Sequence, residues 1–318
     1  MILTVTLNAA VDRTLVVPSL TLGHRHRAPE SVTLAGGKGM NVARSLRALG
    51  TPVLAAGFAG GRNGDAIRDG LSDSAIPFDL VEIAGHSRTS TAIVDPMTGA
   101  QTEINEHGPA VTEAELDLFV DKLIYLAKGA AMCVFSGSLP RGIEPSLYAR
   151  LVEEVGRLGV TTVLDAEGEP LRLATRAEPT VVSPNEPEAE ELVGHEFGDE
   201  SDRVAALRSI VELGAREAVM TMSTGCLALV GREPERHLRR VIVETLEPVS
   251  SVGSGDAFLA GYVAARYGGD TPDECLRFAT ACGAESTQHF GAGVVDPKGV
   301  ERLLGEVRLE AVEEPAVS

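Results

Sequence analysis

Basic residues are scarce in this chain, and lysine most of all: Lys38, Lys122, Lys128 and Lys298 are the only four in 318 residues. Against 46 acidic residues stand 28 basic ones, a formal net charge of -18. A field of that sign repels phosphate backbones and anionic lipid, which argues against nucleic acid or a membrane surface as a partner. It also means that a phosphorylated ligand must be held by a few local cations. Cysteine is equally rare. Cys133, Cys226, Cys275 and Cys282 form no C-x-x-C pair and read as reduced, mostly buried thiols of a cytoplasmic protein. No apolar run approaches the ~20 residues that span a bilayer. The opening Met1 to Leu7 alternates like a strand and lacks the basic start of a signal peptide. There are no repeats and no low-complexity segments.

What is present is enough for a substantial core. At 44% hydrophobic, 318 residues fit one large α/β domain or two small ones. Strand-like and helix-like runs alternate, predicting strands at 2–7, 53–58, 132–135, 161–165, 180–183 and 218–222. Helices are predicted at 41–49, 64–74, 116–126, 145–158, 186–192, 203–213, 256–267 and 273–288. This order implies a mostly parallel sheet with helices on both faces. Residues 11–34 and 87–106 break it. They are extended, have no helix between them, and include a hairpin turning at Pro96-Met97-Thr98-Gly99. We therefore expect an α/β core from 1–10, 35–86 and 107–310, a small β lid from 11–34 and 87–106, and a frayed tail at 311–318.

The most informative stretch is Val252-Gly253-Ser254-Gly255-Asp256. Glycines let backbone N–H groups converge without side chains in the way, and the helix that follows adds its positive end. An acid fixed beside such an anion hole can take a proton from a hydroxyl while a phosphoryl group is transferred. The same letters also make an ordinary turn with an Asp cap. Gly36-Gly37-Lys38-Gly39-Met40-Asn41 is a second glycine-rich entry to a helix. Asp12 follows the first strand, where a carboxylate can accept two bonds from a sugar diol. Arg88, Arg25 and Arg27 are candidate phosphate clamps. Ser136-Gly137-Ser138 ends a buried strand. Asn185 and Glu188 lie three apart at a helix start, suited to a metal hydration shell or to a capping box.

In this order the motifs resemble the ribokinase/PfkB carbohydrate kinase superfamily. The carriers are Thr6 to Asp12, Gly36 to Arg44, Thr102 to Glu106, Ser136 to Pro140, Pro184 to Glu188 and Val252 to Asp256. The likeness runs to Gly293, and its nearest branch is the 1-phosphofructokinases and tagatose-6-phosphate kinases. It implies a ribokinase-like three-layer α/β/α core with a small β-sheet lid, and ATP-dependent, Mg²⁺-requiring phosphorylation of a hexose phosphate. It makes Asp256 the base, with Gly253, Ser254 and Gly255 as its anion hole. Asp12, Gly37, Lys38, Asn41, Arg88 and Ser138 become sugar or phosphate contacts, and Arg25 a residue able to reach a neighbouring subunit. Asn185, Thr221, Ser223, Gly225 and Cys282 fall in the nucleotide region, and Glu188 organises the metal. Ser183 stands where the family has lysine, and Met222-Ser223-Thr224-Gly225 shortens the nucleotide loop. Fructose 1-phosphate, fructose 6-phosphate and tagatose 6-phosphate stay open as substrates. A non-catalytic sugar-phosphate-binding regulator, or a kinase of an unphosphorylated sugar or nucleoside, is the alternative. A Rossmann dehydrogenase is disfavoured, because the first strand leads into Asn8-Ala9-Ala10 and not G-x-G-x-x-G. Val16, Leu20, Leu22, Ala92 and Val94 are expected to leave the lid partly apolar, pairing it with a second copy in a homodimer.

Overall fold

The computed structural model describes residues 1–231, 236–244 and 247–312. It opens with β1 (Ile2–Thr6), β2 (Ala10–Val16), β3 (Glu30–Gly36), α1 (Lys38–Ala48), β4 (Val53–Ala59), α2 (Gly61–Asp73) and β5 (Phe78–Glu82). There follow β6 (Arg88–Val94), β7 (Gln101–Asn105), α3 (Glu113–Ala127), β8 (Met132–Ser136), α4 (Leu147–Arg157), β9 (Thr161–Asp165) and α5 (Gly168–Thr175). Next come β10 (Val181–Val182), α6 (Glu186–Val193), α7 (Glu200–Leu213), β11 (Glu217–Met222), β12 (Gly225–Val230) and β13 (His237–Ile242). The chain closes with α8 (Ser254–Gly268), α9 (Pro272–Ser286), α10 (Pro297–Leu304) and β14 (Arg308–Ala311).

A ten-stranded sheet runs in the order β14-β13-β12-β11-β10-β9-β8-β1-β4-β5. Its pairs are parallel from β11 to β5 and antiparallel from β11 to β14. Parallel strands are covered on both faces, so their inward and outward residues are both apolar. In β8, Met132 and Val134 join the core under α1, α8 and α9, while Cys133 and Phe135 join the core under α3, α4 and α7. This is the expected three-layer α/β/α arrangement.

Residues set aside as extended build a separate four-stranded sheet, β3-β2-β6-β7. β2 and β6 run parallel, and β6 and β7 form the anticipated hairpin. Its faces differ from expectation. Val16, Ala92 and Val94 are buried at 6%, 7% and 0% exposure, because the period-two alternation points them inward with Asp12 and Thr14. The outer face carries Leu15 and Ile93, both half-buried, and exposed Ile104, interleaved with Thr33 and Thr91. Leu22 is exposed on the connection after β2. Of the tail expected to fray, Ala311 ends β14, and 313–318 lie outside the described residues.

Three differences have local causes. α1 begins at Lys38 and not Asn41, because Gly37, with φ 98°, is already its cap. α5 is an addition between the expected strands at 161–165 and 180–183; its Pro170 lies in the first turn, where a proline loses no helical bond. β12 and β13 extend the sheet by a hairpin whose link includes 232–235, outside the described residues.

Candidate active site

The loops after the parallel strands meet the inner face of the small sheet around a cavity of about 650 Å³. Open α/β sheets bind ligands at this edge, where strand ends and helix starts converge. Among the residues expected in a site, Asp12, Gly37, Lys38, Asn41, Arg88, Ser138, Asn185, Glu188, Thr221, Gly253, Gly255 and Asp256 all line it.

Asp256 is the third residue of α8 and only 7% exposed. Gly253 caps the helix with φ 79°, and a Cβ there would meet Ala292 at 2.6 Å, so only glycine fits. At Gly255 nothing lies within 4 Å of an added Cβ, which leaves the helix start open to a ligand. Ser254 does not line the cavity, and its N–H donates back to Ser251 O at 3.2 Å. At the start of α8 it is therefore Gly253 and Gly255, and not Ser254, that face the cavity. Burial, with Asp165 nearby, pushes the Asp256 carboxyl up to about 7, against the opposing pull of Lys38 and Asn41.

Asn41, buried on α1, donates its side-chain amide to Asp256 Oδ2 at 2.9 Å. Asp12 packs where a Cβ on Gly36 would strike its carboxylate at 1.9 Å. Burial raises the Asp12 pKa, opposed by the Gly37 N–H and by the Arg44 and Arg88 guanidiniums. At the head of α1, Lys38 Nζ lies 3.0 Å from both Asp165 Oδ1 and Glu188 Oε1. Burial alone would lower the Lys38 pKa, but Asp165, Glu188 and Asp256 outweigh it, and the ammonium holds its proton more tightly than an ordinary lysine.

Asn185 and Glu188 form a reciprocal capping box on α6, with each backbone N–H bonded to the other's side chain at 2.9 Å. The cap does not exclude a second role, because Glu188 Oε1 faces Lys38 and Asp165. Among the described residues no cluster of three His, Cys, Asp or Glu could cage a metal. Two hard carboxylates tied to one ammonium fit a hydrated divalent ion that takes its remaining ligands from water and phosphate.

On the opposite wall, Arg88 Nε donates to Asn8 O at 3.2 Å. Asn8 donates its amide to Ser138 Oγ at 3.1 Å. Arg141, also on the wall, is anchored by Nε to Gly108 O at 2.8 Å. Asp165, Asn8 and Arg141 were not singled out as site residues from the sequence. For Asp165 the signal was an acid ending a buried parallel strand; Asn8 stood within the Thr6 to Asp12 stretch, and Arg141 directly follows the Ser136 to Pro140 stretch.

Besides Ser254, four expected residues lie elsewhere. Cys282 is fully buried on the core side of α9, its sulfur against Gly261, and cannot touch a nucleotide from there. Ser223 is exposed in the turn between β11 and β12 and does not line the cavity. Gly225 serves the sheet, since a Cβ there would meet Val241 O at 2.0 Å. Arg25 is exposed on the 17–29 connection, away from this chain's cavity.

An acid at a helix start, glycines beside it and cations opposite define a phosphotransferase with an alcohol as acceptor. Comparison with known proteins makes the class definite: residues 3–298 match the model of the pfkB family carbohydrate kinases. The chain belongs to that family. It is 30% identical over 312 residues to a 1-phosphofructokinase of Borreliella burgdorferi, covering 98% of this chain and 99% of the relative. To a 1-phosphofructokinase of Xanthomonas campestris pv. campestris it is 33% identical over 315 residues, covering 98% of each. Among solved structures, a possible 1-phosphofructokinase from Thermotoga maritima superposes with a TM-score of 0.88 at 25% identity, covering 98% of this chain and 100% of the other. Among the described residues no helix is long and apolar enough to cross a membrane.

Proposed function

We propose that the chain phosphorylates fructose 1-phosphate with ATP, giving fructose 1,6-bisphosphate and ADP. The observation that carries the chemistry is Asp256, a buried carboxyl raised to about 7 and held by Asn41 at the open start of α8. A carboxylate with that proton affinity is basic enough to take a proton from a sugar hydroxyl and is still partly ionised near physiological pH. As the hydroxyl oxygen attacks the γ-phosphorus, the bond to the β-γ bridging oxygen breaks, ADP leaves, and the proton stays on Asp256 until solvent takes it. Catalysis rests on alignment and on charge stabilisation by the Gly253–Gly255 helix start and Lys38. Asp12 and Asn41 hold the sugar hydroxyls, and Arg88 with Ser138 takes the phosphate already present. Thr221 and Asn185 border the nucleotide. Asp165 and Glu188 hold hydrated Mg²⁺, which neutralises phosphate charge when bound. Full-length relatives named 1-phosphofructokinase support fructose 1-phosphate over the other two candidates.

The small sheet acts as a lid, and its outer face of Leu15, Ile93 and Ile104 pairs with a second copy. In that dimer the exposed Arg25 reaches the neighbouring cavity. Four free, buried cysteines suit a reducing cytoplasm.

The test is ADP release with fructose 1-phosphate, fructose 6-phosphate, tagatose 6-phosphate and fructose. We expect the highest kcat/KM on fructose 1-phosphate. A higher value on another sugar reassigns the substrate, and no turnover on any supports a binding regulator.

A further inference from the structure

We infer that Arg44 is a positioning residue: its guanidinium fixes which end of the Asn41 amide faces Asp256, and so sets the orientation of the catalytic carboxylate. An asparagine amide has an acceptor end and a donor end that differ little in shape, so its orientation is decided by its partners. Arg44 lies one turn after Asn41 on α1, the spacing that places two helical side chains together. Its Nη1 donates to Asn41 Oδ1 at 2.9 Å and to Ala292 O at 2.7 Å. Its Nη2 donates to Ala35 O. With Oδ1 committed to a cation that has no acceptor, Asn41 can turn only its NH₂ towards Asp256 Oδ2, at 2.9 Å. Reversal would set the Asn41 carbonyl against the Asp256 carboxylate and the NH₂ against the guanidinium, two repulsive contacts in place of two hydrogen bonds.

The three anchors fix Arg44 as firmly as Arg44 fixes Asn41. Ala35 is in β3, the strand that leads from the small sheet into α1. Ala292 lies on the loop that packs against the cap of α8, and that loop is pinned to α1 by Ser45 Oγ donating to Gly293 O at 2.9 Å. One guanidinium therefore joins the root of the small sheet, the Asn41 amide and the loop behind Gly253. The charges of Asp12 and Asp256 oppose the lowering of its pKa by burial. Lysine could supply the charge but not three bonds in a plane.

The inference rests on Asp256 as the base, so the two are tested together. Arg44→Lys and Arg44→Met are assayed beside Asn41→Ala, the double variant Asn41→Ala/Arg44→Lys, and Asp256→Asn. We expect Arg44→Lys to lower kcat by about 10²-fold, the scale of a misplaced reacting group, with KM for ATP within about twofold. In the Asn41→Ala background the same change should cost little more, because the amide it orients is gone. Losses that multiply in the double variant, or an Arg44→Lys enzyme within about threefold of wild-type kcat, overturn the inference. So does failure of both Arg44 variants to fold by circular dichroism at any temperature, which assigns Arg44 to stability alone. If Asp256→Asn itself keeps wild-type turnover, the reading of the base fails instead.

Discussion

The ammonium of Lys38 is bonded to the carboxylate of Asp165 at 3.0 Å, joining the first residue of α1 to the last residue of β9 across 127 positions of sequence. Glu188 completes the junction at the same distance. Removing the cation leaves two carboxylates facing each other. Lys38→Met should lower the unfolding free energy in urea by about 1–3 kcal/mol, the cost of stranding a polar partner. Asp165→Asn in that background should recover part of it. An unchanged midpoint in Lys38→Met would show that the junction does not hold the fold.

The raised carboxyl of Asp256 gives a pH dependence of definite sign. Its pKa is about 7 in the folded chain against an ordinary 3.8. Between those values the folded state binds the proton that the unfolded state releases, so this group's contribution to stability falls as pH rises through the window. Asp256→Asn removes that contribution. The variant should be more stable than wild type at pH 8, by a few kcal/mol at most, and the gap should close towards pH 4. Wild-type kcat/KM should fall below about pH 7 as the base is protonated. A stability gap that widens on acidification would contradict the assignment.

Arg88 is a half-buried cation that the small sheet brings to the cavity, where we propose that it meets the sugar phosphate. Arg88→Ala should raise KM for the sugar phosphate by about 10- to 100-fold, equivalent to losing a charge-assisted contact, and leave KM for ATP nearly unchanged. Equal weakening of both substrates would assign Arg88 to the lid's position instead.

The outer face of the small sheet gives a test of assembly. Ile93→Lys together with Ile104→Lys places charge on the face we assign to a second copy. Sedimentation should then show monomers, with reduced sugar-phosphate affinity because Arg25 of the neighbour is withdrawn. A wild-type protein that is monomeric and fully active at assay concentration would rule out the dimer.

Much of this site was legible because its parts are local. Gly253 to Asp256 and Gly36 to Asn41 each put glycine, helix start and reactive side chain within a few residues, and a short motif carries all three. Asp165 was not legible as a site residue, since its meaning comes from Lys38, 127 residues away. Cys282 was misplaced by family position alone; the spacing of Ala279 and Cys282 on α9 turns both inward to the core. Alternation in the small sheet revealed two faces but not which was covered. Only the packing of the sheet over the cavity decides that Val16 and Val94 point in and Ile93 out. The fold's layers followed from β-α alternation, whereas β12, β13 and β14 at its antiparallel edge left no comparable period.

The most direct test of the account is kcat for Asp256→Asn with fructose 1-phosphate and ATP. The isosteric change keeps the helix start and the Asn41 neighbour but removes the proton acceptor. We expect kcat to fall by ~10²–10⁴, with the binding of both substrates, measured by calorimetry, within a few-fold of wild type. Turnover within about threefold of wild type would contradict the account and leave Asp256 as a residue of the helix start only.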